Sequence, residues 1–283
     1  MLGEIRGEVR FKEPLSFHTS LRIGGPADIF IVPQDVEDIR LALSFAEREQ
    51  LSLDVIGGGN NLLVSDRGVR GVVLKLEGCL GRAEFNGEEA VAGAGVGLSA
   101  LIREAAALNL GGIECLVGVP ATVGGAVAMN AGTQDGGIGD FISAVYFLYP
   151  DGTLGEFKPG AASFSNRTFT APAGAVLIGA RLQLHRRPFA EIQKDIKQRL
   201  KQKKSTQPLA LASVGCVWKN PPGETASRLI EKVGLRGKRL NGAEISAKHA
   251  NFIVNRGGAA ATDIKALMQL TLDRVRKIGR AHV

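Results

Sequence analysis

The chain has 283 residues, of which 45% are hydrophobic and 22% are charged. These proportions are typical of a globular protein, and the length allows two or three domains with a substantial core. The formal net charge of +7 favours anionic ligands, but aromatic residues make up only 5%, too few for the stacking surfaces that single-stranded nucleic acid requires. We therefore expect small anionic molecules as partners, and neither nucleic acid nor membrane.

The cysteines and the N-terminus indicate the compartment. Cys79, Cys115 and Cys216 are far apart and odd in number, so they provide neither metal-ligand spacing nor a disulfide framework. We predict no metal site and a reducing, cytoplasmic location. The N-terminus lacks the apolar segment of a signal peptide, and the stretch 115–133 contains a proline and several glycines, which favours a buried loop and helix over a membrane span.

In the first 185 residues, the hydrophobic pattern alternates between short strands and helices. It predicts a first domain at 1–80, with strands at 27–32, 53–56 and 71–76 and a helix that Asp35 caps. A second domain is predicted at 81–185. Its elements are a hairpin turned at Asn86-Gly87, a helix from Leu98 to about Asn109, a hairpin turned at Asp151-Gly152, and a strand at 175–184.

The remaining residues, 186–283, are predicted to form a third domain. Arg186-Arg187-Pro188 opens a long polar helix that carries the basic residues of 194–204. We interpret these basic residues mainly as a solvated helix face. A last helix begins near Thr262 and places its apolar residues on one stripe.

Two glycine-rich segments carry the first functional signal. Gly57-Gly58-Gly59-Asn60-Asn61 follows the strand at 53–56, and a second segment spans 118–132. Glycine permits positive φ and lets backbone N–H groups approach phosphate oxygens closely. One such segment is most simply a tight turn, whereas two favour a long ligand with a pyrophosphate in its middle. A third glycine motif, at 93–97, lacks the last glycine and the downstream acid of a nicotinamide-binding Rossmann domain.

Two further regions contain candidate chemical groups. Cys216 follows a glycine in the segment 212–223, and a thiol, with an ordinary pKa of about 8.5, donates a proton far more readily than a serine hydroxyl. The alternative is a buried cysteine that acts as a small hydrophobe. His249 lies in the polar segment 242–255, where it either contacts a ligand or forms a structural hydrogen bond.

Five motifs, taken together and in this order, make nearly the whole chain resemble the UDP-N-acetylenolpyruvoylglucosamine reductase (MurB) family, in its shorter type. They are His18–Ala27, the triple-glycine loop with its two asparagines, and the segments 118–132, 215–221 and 242–255. The resemblance implies an α+β protein: a two-lobed FAD-binding fold of the vanillyl-alcohol-oxidase type plus a C-terminal α/β substrate-binding domain. It further implies FAD, NADPH as reductant and a UDP-sugar substrate of peptidoglycan synthesis. We also expect the FAD to be bound non-covalently, because His18 lies in the first of these motifs, and we expect a monomer.

Site residues follow from the same resemblance. Cys216 occupies the position of the family's proton-donating serine, and Arg167 that of an arginine that binds the substrate carboxylate, although Asn166 replaces the tyrosine that normally precedes it. Substrate contacts are expected from Lys219, Asn220, Arg228 and His249. FAD contacts are expected from both glycine-rich segments: Ile56, Gly57, Gly58, Gly59, Asn60, Asn61, Leu62, Gly118, Pro120, Ala121, Thr122, Gly124, Gly125, Ala126, Asn130, Ala131 and Gly132.

The C-terminus departs from the family pattern. The family carries a catalytic glutamate in a short segment after the last helix, whereas no acidic residue follows Asp273 here. Because Ile278–Val283 matches one reading frame of a common sequencing adapter, we expect an assembly artefact and a lost C-terminal segment. Two alternatives stay open: another FAD-dependent oxidoreductase of the same fold, and a catalytically impaired nucleotide-binding fragment.

Overall fold

The protein is described here from a computed structural model, which covers residues 2–78, 80–133, 135–160, 163–165 and 167–280, without the side chain of Arg280. Cys79, Asn166 and the last three residues of the suspected adapter stretch therefore lie outside the described residues. The chain forms two compact units. Unit 1 combines the residues up to Glu13 with Ala27–Gly58 and Arg70–Lys201, and unit 2 combines Pro14–Pro26, Gly59–Val69 and the residues from Gln202 onward.

Unit 1 contains most of the strands. In chain order its elements are β1 (Glu8–Pro14), β2 (Pro26–Val32), α1 (Val36–Arg48), β3 (Leu53–Ile56), β4 (Val69–Lys75), β5 (Ala83–Asn86), β6 (Glu89–Gly93), α2 (Leu98–Ala107), β7 (Leu110–Gly111), α3 (Val123–Ala128), β8 (Gly132–Thr133), β9 (Gly136–Gly137), β10 (Ile142–Leu148), β11 (Leu154–Phe157), β12 (Phe164–Ser165), β13 (Thr168–Phe169), β14 (Val176–Gln183), β15 (His185–Arg186) and α4 (Phe189–Thr206), whose last turns belong to unit 2. Short 3-10 helices lie at Leu2–Glu4, Ile113–Leu116 and Ile138–Phe141.

Two sheets organise unit 1 into two lobes. The first has the order β1-β2-β4-β3, with β3 parallel to β4, and packs on α1 through one apolar cluster. The second has the order β11-β10-β14-β6-β5 with antiparallel pairings, and its own cluster includes α2 and α3. These are the two lobes expected of the FAD-binding fold.

Local sequence signals explain several of these elements. The Asp35 carboxylate accepts hydrogen bonds from the backbone N–H groups of Glu37 and Asp38, which caps α1 as predicted. Gly87 has φ +61° at the turn between β5 and β6, and Gly152 has φ +82° in the turn between β10 and β11. Both predicted hairpins are therefore confirmed, because glycine adopts these turn conformations without steric cost.

Unit 2 is built on a four-stranded sheet of order β16-β19-β18-β17 whose pairings are antiparallel. Its elements are a 3-10 helix at Leu15–Phe17, β16 (Ala212–Cys216), α5 (Ala226–Lys232), β17 (Arg239–Leu240), β18 (Ala243–Ile245), β19 (Phe252–Asn255) and α6 (Ala261–Arg280). An apolar cluster joins α5 and α6 to the sheet and to Leu21 and Ile23, so residues distant in sequence share this core.

One long-range contact fixes the start of α6. The Asp66 carboxylate accepts hydrogen bonds from the backbone N–H groups of Ala261 (2.7 Å) and Thr262 (3.0 Å). These N–H groups have no partner inside the helix, and Asp66 satisfies them from the segment that follows the triple-glycine loop. The bond from Ala261 is the main reason that the pKa of Asp66 lies below its ordinary value.

The three-part division at 1–80, 81–185 and 186–283 stays a prediction. The observed contacts assign residues 14–26 and 59–69, both from the first predicted domain, to the unit that holds the C-terminal sheet. Among the helices of the described ranges, none is both long and apolar enough to cross a membrane.

Candidate active site

The two glycine-rich segments meet in unit 1. Strand β3 ends at Ile56, and the backbone of Gly57 then approaches the side chain of Thr122 at the start of α3. A Cβ atom added to Gly57 would lie closer to Thr122 Oγ1 than real Cβ contacts allow. Residue 57 must therefore lack a side chain for the segments to touch here, which supports the interpretation that they act together.

The second segment is held tightly by the protein itself. The hydroxyl of Thr122 accepts a hydrogen bond from the backbone N–H of Gly125 (3.2 Å), and the N–H of Gly124 donates to the Ala94 carbonyl (2.9 Å). A Cβ on Gly124 would lie 2.8 Å from the Ala94 Cβ. Because these donors are already used, the segment offers a ligand a closely approaching backbone at these positions rather than open N–H groups.

The triple-glycine loop, by contrast, contains backbone N–H groups that are not used by the described residues. Within unit 2, Gly59 has φ +64°, and a Cβ there would overlap the His18 carbonyl, so glycine is required. The Gly59 carbonyl accepts the backbone N–H of Ser20 (3.0 Å). The backbone N–H groups of Gly59 and Asn60 donate to no atom in the part of the chain that the structure describes. Such consecutive donors suit phosphate oxygens, so the loop fits the diphosphate of FAD.

The remaining expected cofactor contacts are divided between the units. Ile56, Gly58 and the residues of the second segment lie in unit 1, whereas Asn61 and Leu62 lie in unit 2. The structure brings Gly57 and Thr122 together directly. The flavin contacts themselves stay predictions.

Arg167 lies in unit 1, at the turn of the short hairpin formed by β12 and β13. Its backbone has φ +61°, which is uncommon for a residue with a side chain, and it is exposed. The aromatic rings of Phe164 and Phe169 in the two strands lie 4.7 Å apart and anchor the hairpin. Arg167 is therefore accessible beside this aromatic pair, and its contact with a substrate stays a prediction.

Cys216 lies in unit 2, at the end of β16. It pairs with Phe252 of β19, and an irregularity separates this pair from the Ser213–Val254 pair. Gly215, with φ +79°, lies within this irregularity. Cys216 is exposed, so the alternative of a buried structural cysteine is wrong; Cys115, by contrast, is buried, and burial raises the pKa of its thiol.

Asn251 fixes the chain next to Cys216, a role that the sequence analysis missed. Its side chain accepts the backbone N–H of Trp218 (2.9 Å) and donates to the Trp218 carbonyl (2.9 Å), and its own carbonyl accepts the N–H of Val217 (2.8 Å). Asn251 is only 3% exposed, so these bonds lie in a protected environment. The sequence analysis selected the neighbouring His249 instead, because no local pattern indicates that Asn251 bonds to Trp218, 33 positions away.

A cavity of about 200 Å³ lies beside Cys216 within unit 2. Its wall is mainly apolar, and Asn61 of the triple-glycine loop contributes the amide group. The lining includes Leu62, Val214, Ile253 and Met268. The structure thus brings Asn61 and Leu62, predicted to contact the cofactor, to the same cavity as the predicted proton donor.

The four predicted substrate contacts have different surroundings. Lys219 is exposed, and the Arg228 side chain is 71% exposed with Glu224 3.9 Å away, so both are accessible to a ligand. The side-chain Oδ1 of Asn220 accepts a hydrogen bond from the backbone N–H of Ala226 (3.0 Å), so the Asn220 amide makes a structural bond at the start of α5. Their contacts with a substrate stay predictions.

His249 is half-buried, and its Nδ1 accepts the backbone N–H of Asn251 at 3.3 Å. The ring packs edge-on against Phe252, with centroids 4.9 Å apart. Burial lowers the pKa of His249, so the neutral imidazole is favoured near pH 7. These contacts support the structural alternative, and the contact of His249 with a substrate stays a prediction.

Glu244 of unit 2 is a buried carboxylate, at 2% exposure. Its oxygens accept hydrogen bonds from Arg256 (2.8 and 3.1 Å) and from Arg239. The Arg256 bond is the main reason that its pKa lies below the ordinary value, so Glu244 stays ionised and is unsuited to donate a proton.

Two family models match the chain. A "FAD binding domain" model covers residues 27–158, and a model of the "UDP-N-acetylenolpyruvoylglucosamine reductase, C-terminal domain" covers residues 207–279. The structure of Physcomitrella patens BBE-like 1 superposes on this chain with a TM-score of 0.53 at 19% sequence identity. The superposition covers 65% of this chain and 43% of the Physcomitrella patens chain, and it supports the fold alone.

Several similar proteins match nearly the whole chain. UDP-N-acetylenolpyruvoylglucosamine reductase from Anaeromyxobacter sp. is 43% identical to this chain, and the alignment covers 96% of this chain and 86% of the relative. The reductase from Halalkalibacterium halodurans is 39% identical, and the alignment covers 96% of this chain and 90% of the relative. The crystal structure of the Thermus caldophilus enzyme (MurB) superposes with a TM-score of 0.83, at 36% identity and 95% coverage of both chains. The chain therefore belongs to the UDP-N-acetylenolpyruvoylglucosamine reductase family.

Proposed function

We propose that this chain reduces the enolpyruvyl group of UDP-N-acetylglucosamine enolpyruvate to give UDP-N-acetylmuramate, a step of peptidoglycan synthesis, with electrons from NADPH. The observation that carries the proposal is that the exposed Cys216, at the end of β16, lies beside an apolar cavity that the triple-glycine loop also lines. FAD, when bound along the glycine-rich segments, supplies the hydride chemistry. The protein's own residues supply the proton and bind the charged substrate.

Cys216 is the proposed proton donor. Reduction of the vinyl ether adds hydride to the terminal carbon and leaves negative charge on the carbon that bears the carboxylate. The thiol Sγ then gives its proton to that carbon and becomes a thiolate, which solvent reprotonates. A positioned general acid contributes roughly 10²- to 10⁴-fold to such a step. Hydrogen bonds from Asn251 fix the backbone of Val217 and Trp218, and they thereby hold the end of β16 in place.

Arg167 is the proposed anion-binding residue. A guanidinium presents paired N–H donors to a carboxylate and also stabilises the negative charge that develops during the reduction. The exposed position of Arg167 at a hairpin turn supports this role. Lys219 and Arg228 are proposed to contact the diphosphate of the substrate, because both are cationic and exposed.

We propose that the chain acts as a monomer in the cytoplasm. The low aromatic content and the small anionic substrate support a protein that needs no nucleic-acid or membrane partner. Size-exclusion chromatography with light scattering tests this part, and a concentration-independent dimer mass would contradict it.

The function is tested in two half-reactions under anaerobic conditions. NADPH should bleach the flavin absorbance, and the enolpyruvyl UDP-sugar should restore it while forming the reduced sugar. Failure of the sugar to reoxidise the reduced wild-type flavin would refute the proposed activity. Precipitation with acid checks the cofactor: FAD should leave with the supernatant, because we expect no covalent bond.

Two variants of one residue test the proton donor. Cys216→Ala should reduce the flavin with NADPH at the wild-type rate and lose roughly 10²- to 10⁴-fold in product formation, because no side chain can donate the proton. Cys216→Ser is the matched control: a hydroxyl at the same position should retain measurable turnover. Equal product formation by the wild type and Cys216→Ala would show that the donor is another group.

A further inference from the structure

The hairpin that carries Arg167 is too short to be stable without contacts to the rest of the protein. Strands β12 and β13 pair over only two residue pairs, Phe164 with Phe169 and Ser165 with Thr168. An isolated two-stranded hairpin is marginally stable at best, even when it is longer than this. The left-handed backbone at Arg167 adds further conformational cost. The arginine therefore depends on contacts from outside the hairpin for a fixed position.

Apolar contacts anchor the two strands of the hairpin. The Phe169 ring is 7% exposed and stacks with Phe147 of the five-stranded sheet at 6.3 Å. The Phe164 ring lies over Gly139, where an added Cβ would come within 2.6 Å of the ring. These rings hold the base of the hairpin against the core. The backbone carbonyl of Ser165, next to the turn, has a hydrogen-bond partner outside the hairpin.

That partner is Asn130. Its Nδ2 donates to the Ser165 carbonyl (3.0 Å), and its Oδ1 accepts the backbone N–H of Gly139 (3.1 Å). Asn130 itself has φ +38°, which asparagine tolerates better than most residues. The Asn130 side chain therefore connects the hairpin to the 3-10 helix at Ile138–Phe141. That helix contains Gly139, over which the Phe164 ring lies.

We propose that Asn130 is a positioning residue for Arg167, a role that rests on the proposed function of that arginine. Asn130 lies near the end of the segment 118–132, so the cofactor segment and the arginine hairpin form one connected assembly. Both the nitrogen and the oxygen of its side-chain amide form hydrogen bonds within the protein. This positioning role therefore differs from the flavin contact that we expect from the sequence. Loss of the Ser165 bond leaves the turn without its polar tether, and the guanidinium then samples positions away from the substrate carboxylate.

The variant Asn130→Asp isolates this bond. Aspartate has the same size and tolerates a left-handed backbone, and it keeps the acceptor for Gly139, but it turns a carboxylate oxygen toward the Ser165 carbonyl. Asn109→Asp is the matched control. Asn109 is also a left-handed asparagine of unit 1, its Oδ1 accepts the Phe189 N–H, and it is exposed and outside the site.

Asn130→Asp should slow reoxidation of the reduced flavin by the enolpyruvyl UDP-sugar by roughly tenfold, the cost of one lost hydrogen bond. With FAD supplied at saturation, flavin reduction by NADPH should match that of Asn109→Asp. In the Arg167→Ala background, Asn130→Asp should cause no further loss, since the residue it positions is gone. Equal losses in both half-reactions, or additive losses in the double variant, would overturn the inference.

Hydrogen exchange tests the same contact without turnover. The peptide that spans residues 163–170 should exchange faster in Asn130→Asp than in Asn109→Asp or the wild type. Unchanged exchange in this peptide would overturn the proposed tether even if the enzyme is active. If the wild type fails to use the sugar but exchange still rises, the proposed function fails while the structural part of the inference stands.

Discussion

The contact between the two glycine-rich segments yields the sharpest prediction. In Gly57→Ala, the new Cβ would lie too close to Thr122 Oγ1, whereas the Thr122 Cβ and Cγ2 are 3.6 and 3.7 Å away, at ordinary contact distance. The conflict therefore involves one oxygen atom. Two responses are open to the protein: the Thr122 side chain rotates, or the loop moves away from α3.

Each response has a cost that can be worked out. Rotation of Thr122 breaks its 3.2 Å bond to the Gly125 N–H, and loss of an N-cap costs about 1 kcal/mol. Movement of the loop is an overpacking response, which costs about 1–3 kcal/mol. Because bound FAD requires the loop in its original place, we expect the cost to appear in the affinity. At about 1.4 kcal/mol per tenfold, the dissociation constant for FAD should rise by roughly 5- to 150-fold.

Fluorescence titration of the flavin-free protein with FAD measures this change. The double variant Gly57→Ala/Thr122→Ala removes the conflicting oxygen, so its loss should be smaller than the sum of the two single losses. Gly160→Ala is the control, since a Cβ there meets no atom of the described residues within 4 Å. Wild-type affinity in Gly57→Ala, or additive losses in the double variant, would refute the steric reasoning.

Two further predictions concern unit 2. Glu244→Gln should lower the melting temperature at pH 7, because one of the Arg256 and Arg239 bonds to a buried carboxylate is lost, at about 1–3 kcal/mol. The folded pKa of Glu244 is depressed, so its stabilisation is complete above the unfolded value of about 4.3 and disappears as pH falls through the folded value. The gap between the wild type and Glu244→Gln should therefore narrow below about pH 4. Asp66→Ala should destabilise the protein by about 1 kcal/mol through the lost cap of α6, and exchange of the first α6 amides should accelerate.

Each of these outcomes has a direct counter-result. A melting-temperature gap for Glu244→Gln that stays constant from pH 7 to pH 3 would show that the charge of Glu244 contributes nothing. For Asp66, unchanged exchange at Ala261 and Thr262 would mean that water replaces the carboxylate without cost. Glu231→Gln is the control for both the melting-temperature and the hydrogen-exchange measurements. Glu231 is a partly exposed carboxylate that lies 3.7 Å from Arg236.

Local sequence was sufficient for many elements. Asp35, the glycines at 87 and 152, and the apolar stripe of α6 predicted structure correctly because capping, turn geometry and helical periodicity depend on residues a few positions apart. The candidate site was recognisable for a different reason. Its glycine-rich segments and Cys216 carry chemistry that is visible in the residue types themselves.

The partners of those residues were not predictable. Asn251 and Trp218 are 33 positions apart, and Asp66 and Ala261 are 195 apart, so no local pattern links them. The assignment of residues 14–26 and 59–69 to the C-terminal unit has the same origin, because Leu21 and Ile23 pack with the core of α5 and α6.

The sequence by itself determined which groups are available: a thiol, an arginine and two backbone segments without side chains. Only the tertiary structure decided how they are held, through Thr122 against Gly57, Asn251 beside Cys216 and Asn130 beside the Arg167 hairpin. The physical reason is that a residue's chemistry is a local property. Its orientation is set by short-range contacts between segments that folding brings together from distant parts of the chain.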